Sequence, residues 1–148
     1  MGMKISTGLA KGLLDTGSLS DLLSGMTLKI YGGTEPVSAD AALGSANLLC
    51  EISLDGLGGA ISFEPAAVQN VLQKNSSETW KGTVQNTGVA TFCRMELGSD
   101  TGNASTSEVR IQGDVGIAGK FLNLSSASLT ASAEQVIANL AIAIPLQG

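Results

Sequence analysis

The chain is a series of short segments in which apolar and polar residues alternate, and turn-forming residues separate these segments at intervals of roughly 8–12 residues. Residues 26–31, 48–54 and 89–97 alternate most clearly, and residues 135–145 form the longest such run. Successive side chains of a strand point to opposite faces of a sheet, so a period of two indicates strands. We therefore predict an all-β fold, a β-sandwich (Ig-like or jelly-roll-like) of about eight short antiparallel strands, with a barrel as the related alternative.

Three local predictions follow from the same pattern. Residues 26–31 read as a half-buried strand, and residues 60–63 as a short strand closed by Pro65. Residues 38–43 read as one helical turn capped by Ser38. Residues 135–145 read as a single strand ended by Pro145, with these side chains on one face: Val136, Ala138, Leu140, Ile142 and Ile144.

Composition limits what the core and the surface can be made of. The 148 residues suit one domain, and 43% of them are apolar although only 3% are aromatic, so the core must consist mainly of aliphatic side chains. Charged residues make up 14%, below the usual quarter, which leaves a surface rich in Ser, Thr, Asn, Gln and Gly. Such a surface is either partly covered in an assembly or simply a polar β surface, and composition leaves both open.

Residues 1–25 differ from the alternating remainder, so we divide the chain into an arm (residues 1–25), proposed to dock, and a β-sandwich domain (residues 26–148). Ser18 is placed to cap a short helix that Gly25 would end. So short a helix is not stable alone and needs a surface to pack on. The arm either folds back on its own sheet or reaches a neighbouring subunit. Its leucines are the candidate partner-binding residues: Leu9, Leu13, Leu14, Leu19, Leu22 and Leu23.

Two aromatic residues are further candidates for partner binding. Trp80, the single tryptophan, is by default a core residue of a sheet, but tryptophan is also enriched at the energetic centres of interfaces. Tyr31, which precedes two glycines, has the same two interpretations. Among the charged residues, Arg94 is expected to pair with Glu96 on one strand face, and Arg110 with Glu108 or Glu96.

The sequence contains little that points to catalysis. It has no histidine, which argues against a serine triad and a zinc site, and its two cysteines lie 43 positions apart. Cys50 and Cys93 are expected to be buried thiols, with a disulfide or a reactive thiol as the alternative. A net charge of −5 disfavours nucleic acid. Neither a signal peptide nor a membrane-spanning run is recognised. We predict no enzymatic activity and no cofactor.

Several blocks in this order and spacing resemble a family of small virion structural proteins of tailed bacteriophages. The blocks are GLAKGLLDTGSL (8–19), LKIYGGTEP (28–36), ADAAL (39–43), GVATFCRM (88–95) and RIQGDVG (110–116). The likeness extends over nearly the whole chain, which ends in a strand closed by a proline. Where the family often has Asp-Leu-Asn-Leu, this chain has Phe-Leu-Asn-Leu at 121–124.

The resemblance implies a non-enzymatic virion component, assembled in the cytoplasm of the bacterial host. We expect a decoration or cement protein that binds the major capsid protein and stabilises the shell, as a homo-oligomer with a trimer favoured. A structural protein of the neck, tail or fibre base is the alternative, because one β-sandwich fold serves many functions. A carbohydrate-binding or hydrolytic virion module is less favoured, because aromatic platforms are scarce.

Overall fold

The computed structural model describes residues 2–146, which form eleven short strands and two short helices. The elements in chain order are β1 (Lys4–Ile5), α1 (Thr7–Asp15), α2 (Leu19–Leu22), β2 (Met26–Gly32), β3 (Asn47–Leu54), β4 (Val71–Gln73), β5 (Trp80–Thr83), β6 (Gly88–Leu97), β7 (Ile111–Gly116), β8 (Leu122–Asn123), β9 (Ser128–Leu129), β10 (Glu134–Ile137) and β11 (Ala141–Ala143).

The main sheet has the strand order β1-β7-β6-β2-β3-β5-β10, and all of these neighbours are antiparallel. Strand β9 adds antiparallel to β6, whereas β8 pairs parallel to β7. Strands β4 and β11 form a separate antiparallel pair. The predicted all-β, sandwich-like fold is confirmed.

The central strand β2 shows how the layers are arranged. Met26, Leu28 and Ile30 point into the apolar core, where side chains of β3 and β6 lie beside them. Residues from the segments around β4 and β8–β11 close this core from the other side, among them Phe63, Leu72, Phe121, Leu129 and Ile142.

The opposite face of β2 corrects the expectation of a half-buried strand, because all seven residues of β2 are buried. Thr27, Lys29 and Tyr31 lie on this second face. Their burial results from two irregular stretches, residues 33–46 and 98–107, which we call the covering segments. These segments bond to the face through their backbone carbonyls and through Asp100.

Other local expectations are also corrected. The run 135–145 is two strands, since residues 138–140 are irregular and β10 and β11 pair with different strands, β5 and β4. Consequently Val136 is 47% exposed while Ile137 is buried. Residues 38–43 form turns and no helix, although the Ser38 side chain does accept a hydrogen bond from the Ala41 N–H. Residues 60–63 make an isolated bridge at Phe63 in place of a strand.

The helices of the arm are capped by serines. Ser18 caps α2 by accepting a hydrogen bond from the Asp21 N–H, as predicted, and Gly25 follows with a φ of +85°, which glycine adopts without strain. Helix α1, with Ser6 as its N-cap, is longer and was not predicted.

Candidate docking surface and buried charge cluster

The described part of the arm, residues 2–25, packs on its own sheet. Strand β1 pairs with β7, and Ser6 fixes the start of α1 there. The Ser6 hydroxyl accepts hydrogen bonds from the Leu9 N–H (3.1 Å) and the Arg110 N–H (2.9 Å), and it donates one to the Glu108 carbonyl (2.8 Å). This buried hydroxyl therefore caps the helix and attaches it to the strand at once.

The six candidate leucines separate into three groups. Leu9 and Leu23 are buried in the main hydrophobic core of the chain, so neither side chain is accessible to a partner in this conformation. Leu19 and Leu22 are half-buried against that core. Leu13 and Leu14 face outward, with 37% and 89% of their surface exposed. Only the last group offers a large apolar surface to another protein.

An apolar groove of about 250 Å³ lies beside α2. It is lined by Leu19 from α2 and by Leu72, Ile142 and Ile144 from the β4–β11 pair and its end, together with Pro65 and Ala67. Ile144 is 59% exposed, and Val68 beside Ala67 is also exposed. Helix α1, which carries the exposed leucines, packs on α2, which contributes Leu19 to the groove.

The structure places Tyr31 and Trp80 in the interior. The Tyr31 ring stacks on Phe92 with 5.1 Å between centroids, and its hydroxyl donates to Glu96 Oε1 at 3.2 Å. Trp80 is fully buried, contacts Phe63 edge to face, and donates from Nε1 to Glu78 Oε2 at 2.8 Å. Both therefore stabilise this chain's own core through packing and a satisfied polar atom.

Five charged residues lie where the covering segments meet the sheet, four on the strands or next to them and Asp100 on a covering segment. We call this set the charge cluster: Lys29, Arg94, Glu96, Asp100 and Arg110. Arg110 binds Asp100 through two hydrogen bonds, Nε to Oδ2 at 2.6 Å and Nη2 to Oδ1 at 2.7 Å. Lys29 Nζ lies 3.2 Å from Glu96 Oε1. Bidentate pairing of this kind fixes geometry as well as charge.

The two arginines attach the covering segments to the sheet. Arg94 donates from Nη2 to the Ala41 carbonyl at 2.6 Å, and Arg110 donates to the carbonyls of Ala39 (3.0 Å) and Asn103 (2.8 Å). The expected Arg94–Glu96 pair is not formed, because Arg94 Nε donates to Gln112 Oε1 instead. The expected Arg110–Glu96 contact exists at 3.9 Å, but Asp100 is the main partner.

The pKa values of the two carboxyl groups in the charge cluster are shifted in opposite directions. Burial raises the pKa of Glu96 above its usual value, and nearby Lys29 offsets this only in part. Burial also acts to raise the pKa of Asp100, but hydrogen bonds from Arg110 and the Gly102 N–H outweigh it, so that pKa is lowered. A cavity of about 500 Å³ adjoins the cluster and is lined by Lys29, Tyr31, Glu96 and Asp100 among others.

Each charged group beside this cavity already has an internal partner. Lys29 pairs with Glu96, and Asp100 with Arg110. Within residues 2–146 no group of three or more Cys, Asp or Glu side chains is close enough to hold a metal ion, and no helix there is long and apolar enough to cross a membrane. The arrangement is suited to holding the covering segments in place.

Cys50 and Cys93 are free, buried thiols, as expected from the sequence. Both are register partners of Ile30, one on β3 and one on β6, so β2 runs between them. Two interstrand spacings of about 4.8 Å separate their backbones by roughly 10 Å, whereas a disulfide needs about 4.4–6.8 Å between Cα atoms. The fold therefore excludes a bond between them.

We expect neither thiol of the folded protein to react with a thiol reagent at pH 8. Burial raises the pKa of Cys50 to about 11 and also raises that of Cys93, so the reactive thiolate is scarce as well as inaccessible. Titration with a chromogenic disulfide should detect no thiol in buffer and both after unfolding in guanidinium. Rapid labelling in buffer would contradict this packing.

Comparison with known proteins adds no relative. No protein-family model, curated protein sequence or solved structure matches this chain. Its function must therefore be inferred from the residues and surfaces described above.

Proposed function

We propose that this protein is a structural subunit of a tailed-phage virion, a decoration protein that binds the major capsid protein and stabilises the shell. The motifs of the arm and of strands β2, β6 and β7 support the phage assignment, since they resemble a family of virion proteins. The structure contributes an exposed apolar surface suited to binding, whereas Lys29, Glu96 and Asp100 beside the 500 Å³ cavity are engaged in ion pairs within the chain.

The observation that carries the proposal is the pair of exposed leucines near the C-terminal end of α1. Leu14 is 89% exposed and Leu13 lies next to it on α1. Complete burial of a fully exposed leucine side chain contributes about 1.5–3 kcal/mol, so Leu14, together with the smaller exposed part of Leu13, can anchor a contact between subunits. The apolar groove beside α2 offers a second apolar surface, and the hydrogen bonds of Ser6 fix the start of α1, which lowers the entropy lost on docking.

The structure narrows the set of docking residues expected from the sequence. Leu9 and Leu23 belong to the core, so the proposal assigns docking to Leu13, Leu14 and the groove residue Leu19. The arm remains packed on its own sheet and presents these leucines at the surface of the subunit, so it does not have to detach in order to bind.

We expect the double substitution L13S/L14S to weaken binding to phage heads that lack this protein by at least about tenfold, because the change removes more than about 1.4 kcal/mol of apolar burial. Co-sedimentation of labelled protein with purified heads measures the effect. L57S is the matched control, since Leu57 is 86% exposed and lies on the turn after β3.

The competing outcomes separate clearly. L57S should melt like the wild type and L13S/L14S only slightly below it, because Leu57 and Leu14 are 86% and 89% exposed whereas Leu13 is 37% exposed. Equal binding by L13S/L14S and wild type would remove the arm from the interface. Wild-type protein that ignores heads but sediments with connectors or tails would assign it to the neck, tail or fibre base.

A further inference from the structure

The strand β11 has an unpaired backbone edge. The Leu140 carbonyl accepts a hydrogen bond from the Lys74 N–H, and the Ile144 N–H donates to the Asn70 carbonyl. The backbone polar groups of Leu140 and Ile144 therefore point towards β4. Hydrogen bonding alternates along an antiparallel strand, and the N–H and C=O groups of Ala141 and Ala143 therefore point away from β4. Among the described residues nothing bonds to them.

The far edge of β4 is covered by contrast. The Glu64 N–H donates to the Gln73 carbonyl at 2.8 Å, and the Val68 N–H donates to the Val71 carbonyl at 2.9 Å. The open side of this two-stranded sheet is thus the β11 side. The side chains of Ala141 and Ala143 are exposed and small, so another strand can approach closely.

Strand β11 differs in charge from β1 and β10, the two end strands of the main sheet. Strand β1 carries Lys4, paired with Glu35, and β10 carries Glu134, paired with Lys81. Charged residues are a common protection of edge strands against pairing with other chains. Strand β11 has none, and no charged side chain occurs anywhere in residues 135–146.

We propose that β11 pairs edge to edge with β11 of a second copy of this chain, around a two-fold axis. A two-fold interface brings the same surface together twice, so it must tolerate its own charges. An uncharged strand meets this condition, whereas Lys4 or Glu134 would face its own copy. The ribbon gains main-chain hydrogen bonds at Ala141 and Ala143 and covers part of exposed Ile144. The result is a dimer in place of the trimer expected from the sequence.

The position of Ala143 allows a sharp test. The N–H of Ala143 points outward, so A143P removes no hydrogen bond of the folded chain. Proline is tolerated at such an edge position of a strand, but it has no N–H with which to pair a second strand. A143K and A143E place like charges on one face of the ribbon in each homodimer, and mixing them brings opposite charges together. V136K and V136E at the exposed position on β10 are the matched controls.

Light scattering over a wide concentration series measures the mass. We expect wild type and both Val136 variants to reach twice the 14.9 kDa of the chain, A143P to stay monomeric, and A143K and A143E to dimerise only when mixed. Thermal melting confirms that each variant is folded. The charge-swapped pair keeps the test decisive even if A143P is unstable.

Three results would overturn the proposal: wild type that remains monomeric, a wild-type trimer, and a dimer that persists in A143P with no dependence on the charges at position 143. The measurement uses purified protein without particles. A monomeric protein that still binds phage heads would therefore refute the paired edge and leave the proposed function standing.

Discussion

Replacing Arg110 by alanine is expected to lower the free energy of unfolding by about 3–5 kcal/mol, the usual cost of removing one partner of a buried ion pair. The substitution leaves the Asp100 carboxylate buried without its two hydrogen bonds from the guanidinium. It also leaves the carbonyls of Ala39 and Asn103 without their donor, so the covering segments lose a shared attachment. A domain is typically stable by only about 5–15 kcal/mol, so much of the total is lost.

Chemical denaturation monitored by Trp80 fluorescence measures this loss. K11A is the matched control, because Lys11 forms an exposed ion pair with Asp15, and its removal should leave the midpoint unchanged. R110A combined with D100A should cost less than the sum of the single changes, since each removes the charge that the other leaves unpaired. A denaturation midpoint for R110A equal to that of K11A would show that Arg110 and its ion pair contribute nothing to the free energy of unfolding.

Deleting residues 1–25 is expected to destabilise the sheet itself by roughly 3–6 kcal/mol, from the burial of Leu9 and Leu23 alone at about 1.5–3 kcal/mol each. Both side chains belong to the main core, and the deletion also removes β1 from the edge of β7. The division of the sequence into an arm and a separate β-sandwich domain implies that residues 26–148 fold without the arm. The structure predicts a partly exposed core and a lower melting temperature.

Point variants in α1 provide the control for this deletion. L9S should lower the free energy of unfolding by about 2–5 kcal/mol, as for other large-to-small core changes, whereas L14S, at an 89% exposed position of the same helix, should have little effect. Denaturant titrations of the three proteins compare them directly. A truncated chain that unfolds at the wild-type midpoint would show that the arm is an independent element.

The sequence was sufficient for the fold class and for the central strands. The alternation in residues 26–31 and 89–97 depends on a local rule, the two faces of a strand, and both segments are strands in the structure. The two free thiols followed from the same pattern. What sequence could not supply was the burial of the second face, because Lys29 and Arg94 read as solvent-facing until distant segments fold over them.

Two further misses have local physical reasons. Helix α1 contains Gly8 and Gly12, which lower helix propensity, yet at Gly8 a Cβ atom would come within 2.4 Å of the Ser107 carbonyl oxygen. Close packing therefore requires glycine within the helix, and helix propensity underestimates the tendency of this segment to be helical. The alternation in residues 135–145 continues across a break at which the chain leaves one sheet for the other, and period alone does not reveal that crossing.

The candidate site was predictable in part. The leucines of the arm are recognisable in the sequence as an unusual set. Leu9 and Leu13 are four residues apart and share one face of α1, so only the packing shows that Leu9 is the buried one. Arg110 was expected to find a carboxylate, whereas Asp100 lies in a loop whose path the sequence does not give.

The measurement that tests the central claim most directly is the saturation of phage heads lacking this protein with purified wild-type chain. Bound protein is quantified against the major capsid protein by mass spectrometry. A decoration subunit is expected to bind in fixed proportion to the capsid protein over the whole shell and to raise the temperature at which heads release DNA. Absence of binding, or binding confined to a single vertex or to tails, would contradict the assignment.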